Sequence, residues 1–217
     1  MNQRHKNSIN KVGFIAGLLA FAFTVAFVIV QLLQLAKVLV FPLDEILIYG
    51  TSLGIVVPFL LEMLALHYTT HRSKRFWSHA AVLFTSIYAV FVMANYVVQL
   101  TTVLPNKLSG DYDSIKILDQ TPHSLFWDFD AIGYIFMGFA TLAAVPVFTK
   151  KGFQKWVRLS LLANGLVTPL ITFVYFYPAF SEQLLYLGFP WAVTAPLAML
   201  MLALYFKRNL KSTELST

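Results

Sequence analysis

Seven side chains in this sequence have the type and setting to hold a ligand or move a proton: Glu62, Asn95, Gln99, Asp130, Tyr134, Asn164 and Thr172. Glu62 stands in a long apolar run with no basic residue beside it. A carboxylate in such a run must be protonated, paired or turned to water, because the bare charge is too costly to leave in hydrocarbon. Asn95 and Gln99 sit one helical turn apart and ask for more partners than one helix contact supplies. Asp130 and Tyr134 repeat that spacing. Asp128 and Asp130 equally suit the start of a helix, Asp128 as its N-cap and either charge at the positive end of the dipole. His67 and His71 share a helix face, with His79 near enough to make a third metal ligand. Arg72, Lys74 and Arg75 lie among these histidines and oppose a cation, so a basic interfacial patch is the preferred reading. His123 follows Pro122 in the outer loop.

No Ser/His/Asp constellation, phosphate-binding glycine loop, dinucleotide fingerprint or His-Glu-x-x-His motif accompanies these residues. The chain has no cysteine, which removes disulfides, thiolate metal sites and a thiol nucleophile. No cofactor and no metal is assigned.

The elements that position these residues follow from charge and hydropathy. The chain is 58% apolar and only 12% charged, where a soluble domain runs nearer ~25% charged. Four basic patches, Arg4/Lys6/Lys11, Arg72/Lys74/Arg75, Lys150/Lys151/Lys155/Arg158 and Lys207/Arg208/Lys211, are separated by apolar stretches long enough to cross a bilayer and return. The sequence predicts an all-α, polytopic transmembrane helical bundle, one integral domain over residues 1–217. Its six spans are approximately 12–35, 46–69, 76–102, 129–148, 156–177 and 184–206. The apolar run from Val12 is longer than the core of a cleavable signal, so it reads as a retained first span. Lys and Arg concentrate at one side, which places both termini in the cytoplasm (N-in, C-in) of an inner-membrane protein. The net charge of +6 points to anionic lipid rather than nucleic acid, since it marks span ends and forms no stripe. Trp77, Trp127, Trp156, Tyr175 and Tyr177 fall at interfacial depth, whereas Trp191 sits deeper. The long loop 105–124 is a candidate partial lid or else a mobile connection, and its middle could form a short surface helix capped by Ser114 or Asp113.

Polar residues recur on single helical faces. The third span carries Thr85, Tyr88, Asn95, Gln99 and Thr102 on one stripe; the fifth carries Ser160, Asn164, Thr168, Thr172 and Tyr175; the fourth carries Asp130, Tyr134 and Thr141. Polar groups in a bilayer turn inward. The expectation is an outer-half pocket lined by Asn95, Gln99, Asp130, Tyr134 and Thr172, and an inner polar site where Glu62 meets Asn164. The first span shows Gly13-x-x-x-Gly17, a face for close helix–helix contact with a partner protein or with another span of this chain.

The segments Asn95-Tyr96-Val97-Val98-Gln99-Leu100-Thr101, Pro122-His123-Ser124-Leu125-Phe126 and Ala131-Ile132-Gly133-Tyr134 resemble a group of small bacterial six-span membrane proteins of unassigned activity. The resemblance covers about a quarter of the chain and implies a bacterial cytoplasmic membrane, without naming catalytic residues. Three functions remain open at this point. The leading one is binding or transport of a small-molecule or lipid ligand. The others are an intramembrane lipid-modifying enzyme using Asp130 with His123, or His67 with His71, and a non-catalytic assembly or regulatory subunit.

Overall fold

The computed structural model describes residues 3–214, and among these it is all-helical with no strand. Six helices are long and apolar enough to cross a membrane. They comprise α1 (Gln3–Leu35), α2 (Leu43–Thr69), α3 (Arg75–Val98), α5 (Leu125–Ala144), α6 (Gly152–Phe176) and α8 (Phe189–Glu214). The short helices α4 (Leu104–Ser109) and α7 (Glu182–Leu185) lie at one end of the bundle, here called the loop end. The opposite end gathers the basic patches and is called the basic end.

The six long helices close a ring in chain order. Each packs against its sequence neighbours, and α8 returns to pack against α1. Short connections force this antiparallel, neighbour-on-neighbour arrangement. The buried faces follow the predicted stripes: Thr85, Tyr88 and Asn95 of α3, and Gln99 just beyond it, are at most 1% exposed, and Ser160, Asn164 and Thr168 of α6 are also buried. The outward faces carry large apolar residues such as Leu83, Val90, Leu166 and Val193.

Several boundaries differ from the sequence-based expectation. Helix α1 begins at Gln3, because the basic segment before Val12 continues the same helix. Helix α5 begins at Leu125 rather than Phe129. Its N-cap is Ser124, whose side chain accepts from the Trp127 N–H at 3.2 Å, and Asp128 falls in the first turn. This frees Asp130 from capping and places it a full turn inside. The loop helix capped by Ser114 or Asp113 does not form. A single 3-10 turn over Lys116–Leu118 follows Ile115, with no side-chain cap.

At the end of α3 the helix widens into one π turn over Gln99–Val103, and the Leu104 N–H reaches the Gln99 carbonyl five residues back. Pro105 gives a physical reason: it has no N–H to donate, and its ring crowds the carbonyl four residues earlier. At the basic end, lysine and arginine do more than face lipid. Lys74 Nζ donates to the Val147 carbonyl at 2.8 Å, and Arg158 Nη1 to the Val145 carbonyl at 3.0 Å. Both cations thereby bond carbonyls just beyond the last residue of α5, at the negative end of its dipole; that of Val145 also accepts the Phe148 N–H.

The basic half of the ring is solid. Met63, Leu66, Ala140, Ala144, Leu202 and Phe206 fill it, all at most 1% exposed. The loop half is not.

Candidate functional site

A chamber of about 290 Å³ lies inside the loop half of the ring. Every long helix contributes to its wall, together with Gln120 of the loop and Leu185 of α7. The wall is rich in aromatic rings arranged in pairs. Tyr49 stacks on Tyr96 with centroids 5.4 Å apart; Tyr134 meets Trp191 edge-on at 5.1 Å; Trp127 and Tyr175 lie 4.6 Å apart. The rim includes Leu32 and Leu35 of α1 and Phe189 of α8, each more than a third exposed.

Asp130 is the one charged residue in this wall, and it is 4% exposed. Its Oδ1 accepts from the Tyr96 hydroxyl at 2.6 Å and from Asn95 Nδ2 at 3.4 Å. Its Oδ2 accepts from the Tyr175 hydroxyl. The Tyr134 hydroxyl lies 3.4 Å from that of Tyr96 and extends the network. Three donors supply what water gives an exposed carboxylate. No cation does: among the described residues the ion pairs are those of Lys107, with Glu45 and with Asp119, both at 2.9 Å.

The seven predicted residues separate into distinct places. Asp130 and Tyr134 line the chamber as expected. Asn95 is fully buried but stands behind the wall, where its Nδ2 also donates to Gln120 Oε1 at 3.0 Å. Gln99 does not reach the chamber. Its side chain clasps the loop backbone, Nε2 donating to the Leu118 carbonyl at 2.8 Å and Oε1 accepting from the Gln120 N–H at 3.2 Å. With Lys107 paired to Asp119 within the loop and to Glu45 of α2, this holds the loop against the ring and seats Gln120 in the chamber wall.

Thr172 belongs elsewhere. It back-bonds to the Thr168 carbonyl at 2.9 Å and borders an apolar groove on the outside of the ring, among Phe139, Leu166 and Phe173. Successive steps of four residues from Ser160 to Thr172 each drift about 40° around a 3.6-residue helix, and the step of three to Tyr175 turns back toward the inner face.

The expected meeting of Glu62 with Asn164 does not occur. Asn164 instead ties three helices together, its Nδ2 donating to Thr141 Oγ1 at 3.3 Å and its Oδ1 accepting from Thr194 Oγ1 at 3.2 Å. Glu62 is fully buried, and neither carboxyl oxygen has a hydrogen-bond partner among the described residues. It is pressed against Gly17, where a Cβ on that glycine would meet Oε1. Replacing an orphaned polar group by an apolar one of similar length removes its desolvation cost, about 1–3 kcal/mol. Glu62→Met is therefore expected to raise the unfolding free energy in detergent by that order. A marked fall, read from a denaturant titration, would contradict an unpartnered acid.

The Gly13/Gly17 face is likewise taken within the chain. Gly13 lies under the Phe206 ring, and Gly17 lies against Glu62 and Ala203, so α1 uses this face to approach α2 and α8.

The histidines do not join Asp130. His123 is exposed on the loop with a left-handed φ of 66°, while Asp130 is buried. His67 Nδ1 lies 3.0 Å from Ser78 Oγ at the basic end, and its ring is 5.4 Å from that of His79.

Tyr49, Tyr96, Trp127, Tyr175 and Gln31 were not predicted to line the site, although all of them do. Tyr175 and Trp127 read from sequence as interfacial anchors. Two sequence signals point to the wall: Trp191, too deep for an anchor, and Tyr175, at the end of the polar stripe of the fifth span.

Fold and site together define a multi-pass, all-helical membrane protein with an aromatic, singly acidic internal chamber. Against protein-family models, curated proteins and solved structures the chain finds no match, so residue roles rest on this geometry alone.

Proposed function

We propose that this protein binds or transports a small or amphipathic molecule in the chamber at the loop end. The observation that carries the reading is the chamber itself. It is near the lower size of small-molecule sites, about 300 Å³, mostly apolar, with a few convergent polar groups. The apolar rim on α1 and α8 suits a ligand with a hydrocarbon part. Clustering of lysine and arginine at the basic end supports a cytoplasmic location for that end and for both termini. The chamber then lies in the half of the bilayer away from the cytoplasm. The resemblance noted in the third and fourth spans supports a bacterial inner membrane.

The test is a thermal-shift screen of small amphiphiles on the detergent-solubilised full chain and on Ala192→Trp, which fills the chamber from its wall. The expected result is a set of compounds that raise the melting temperature of the wild type and leave Ala192→Trp unmoved. Equal shifts in both proteins, or no shift with any compound, would overturn the reading. Flux of a positive compound into proteoliposomes separates transport from binding.

A further inference from the structure

We propose that the chamber's ligand is an organic cation, an ammonium carrying apolar substituents, seated against Asp130 between the tyrosine and tryptophan rings. This rests on the chamber being a ligand site, and it adds the ligand's charge and chemical class.

The lining decides the sign. Of the 21 residues around the chamber, one is acidic, none is Lys, Arg or His, and eight are aromatic. An anion would meet a carboxylate with no basic residue to offset it, inside walls that screen poorly. A neutral molecule would leave that carboxylate without a counter-charge. A cation supplies the missing charge, and aromatic faces attract it further through their quadrupoles.

The geometry also says how the cation is held. Tyr96, Tyr175 and Asn95 already donate to Asp130. The carboxylate is thus fixed in place by three groups from two other helices and stays acceptor-only. A substituted ammonium needs no hydrogen bond of its own to profit from that fixed charge. Its alkyl groups pack on Tyr134 and Trp191, which stand edge to face beside it. Three of the carboxylate's roughly four acceptor sites are taken, so a primary ammonium would keep N–H groups without acceptors, whereas a quaternary ammonium, which has no N–H, fits best. Any longer apolar substituent has an exit at the rim beside Leu32, Leu35 and Phe189.

The experiment compares cations with their uncharged carbon isosteres on the full chain in detergent. Benzyltrimethylammonium is paired with neopentylbenzene, and choline with its tert-butyl carbon analogue. Binding is followed by the fluorescence of Trp127 and Trp191 and checked by calorimetry. Each cation is expected to bind at least tenfold more tightly than its isostere, and Asp130→Asn is expected to erase that preference. The isostere comparison on the wild type stands by itself if Asp130→Asn does not fold. Equal or tighter binding of the neutral members overturns the cation assignment and leaves the chamber as a ligand site. If neither member of either pair binds while other compounds from the screen do, the assignment fails alone. If nothing binds in either experiment, both readings fail.

Discussion

Asp130→Leu is expected to be the most damaging single change at the chamber, lowering unfolding free energy by about 2–5 kcal/mol. The figure comes from the three hydrogen bonds that end on this carboxylate, each worth roughly 0.6–1.7 kcal/mol between helices in a membrane. Leucine fills similar space but accepts nothing, so the hydroxyls of Tyr96 and Tyr175 lose the carboxylate at once. Those tyrosines sit on α3 and α6, and Asp130 on α5 is the only residue to which both donate. The loss should therefore appear as loosened contact among three helices at the loop end. Denaturant unfolding in micelles measures the energy. Tyr96→Phe and Tyr175→Phe divide it, since each removes one donor and leaves the acid with the others. If Asp130→Leu costs no more than either tyrosine variant, Asp130 does not organise this end of the ring.

Gly17→Leu is expected to be as severe, for a different reason. At this position α1 approaches α2 and α8 closely enough that a Cβ would come within 2.8 Å of the Ala203 Cβ and also meet the Glu62 carboxyl. Ala203 cannot rotate away, because its Cβ is fixed to the backbone. Overpacking in a tight core costs about 1–3 kcal/mol when the neighbours can adjust. Here α1 must move, so the expected loss lies at or above the top of that range. Gly50 is the control: it sits in α2 with nothing within 4 Å of its would-be Cβ. Gly50→Ala should keep stability or raise it by up to about 1 kcal/mol through better helix propensity. A similar melting temperature for Gly17→Leu and wild type would show that α1 does not pack against α2 and α8 as described. Restored stability in Gly17→Ala combined with Glu62→Ala would locate the clash at the carboxyl.

Taken alone, the order of residues determined the membrane character, the six crossings and the inward turn of the polar stripes. Each of these follows from a local rule: a span needs about 20 apolar residues, and a polar group in hydrocarbon must face other protein. Asn95, Gln99, Asp130 and Asn164 are buried for that reason, and their burial was legible from spacing on a single helix. What each side chain then touches was not legible, because it depends on which helices become neighbours and at what depth. The closed ring sets Glu62 against Gly17 rather than Asn164, and it gives Asn164 to Thr141 and Thr194. The loop decided the fate of Gln99, whose hydrogen bonds go to backbone groups near residues 118 and 120 and carry no signature in composition. Above all, the chamber is a void, defined by where side chains from six helices stop. Tyr49 and Tyr96 read as ordinary aromatic residues until tertiary packing brings their rings, with that of Tyr175, around one acid.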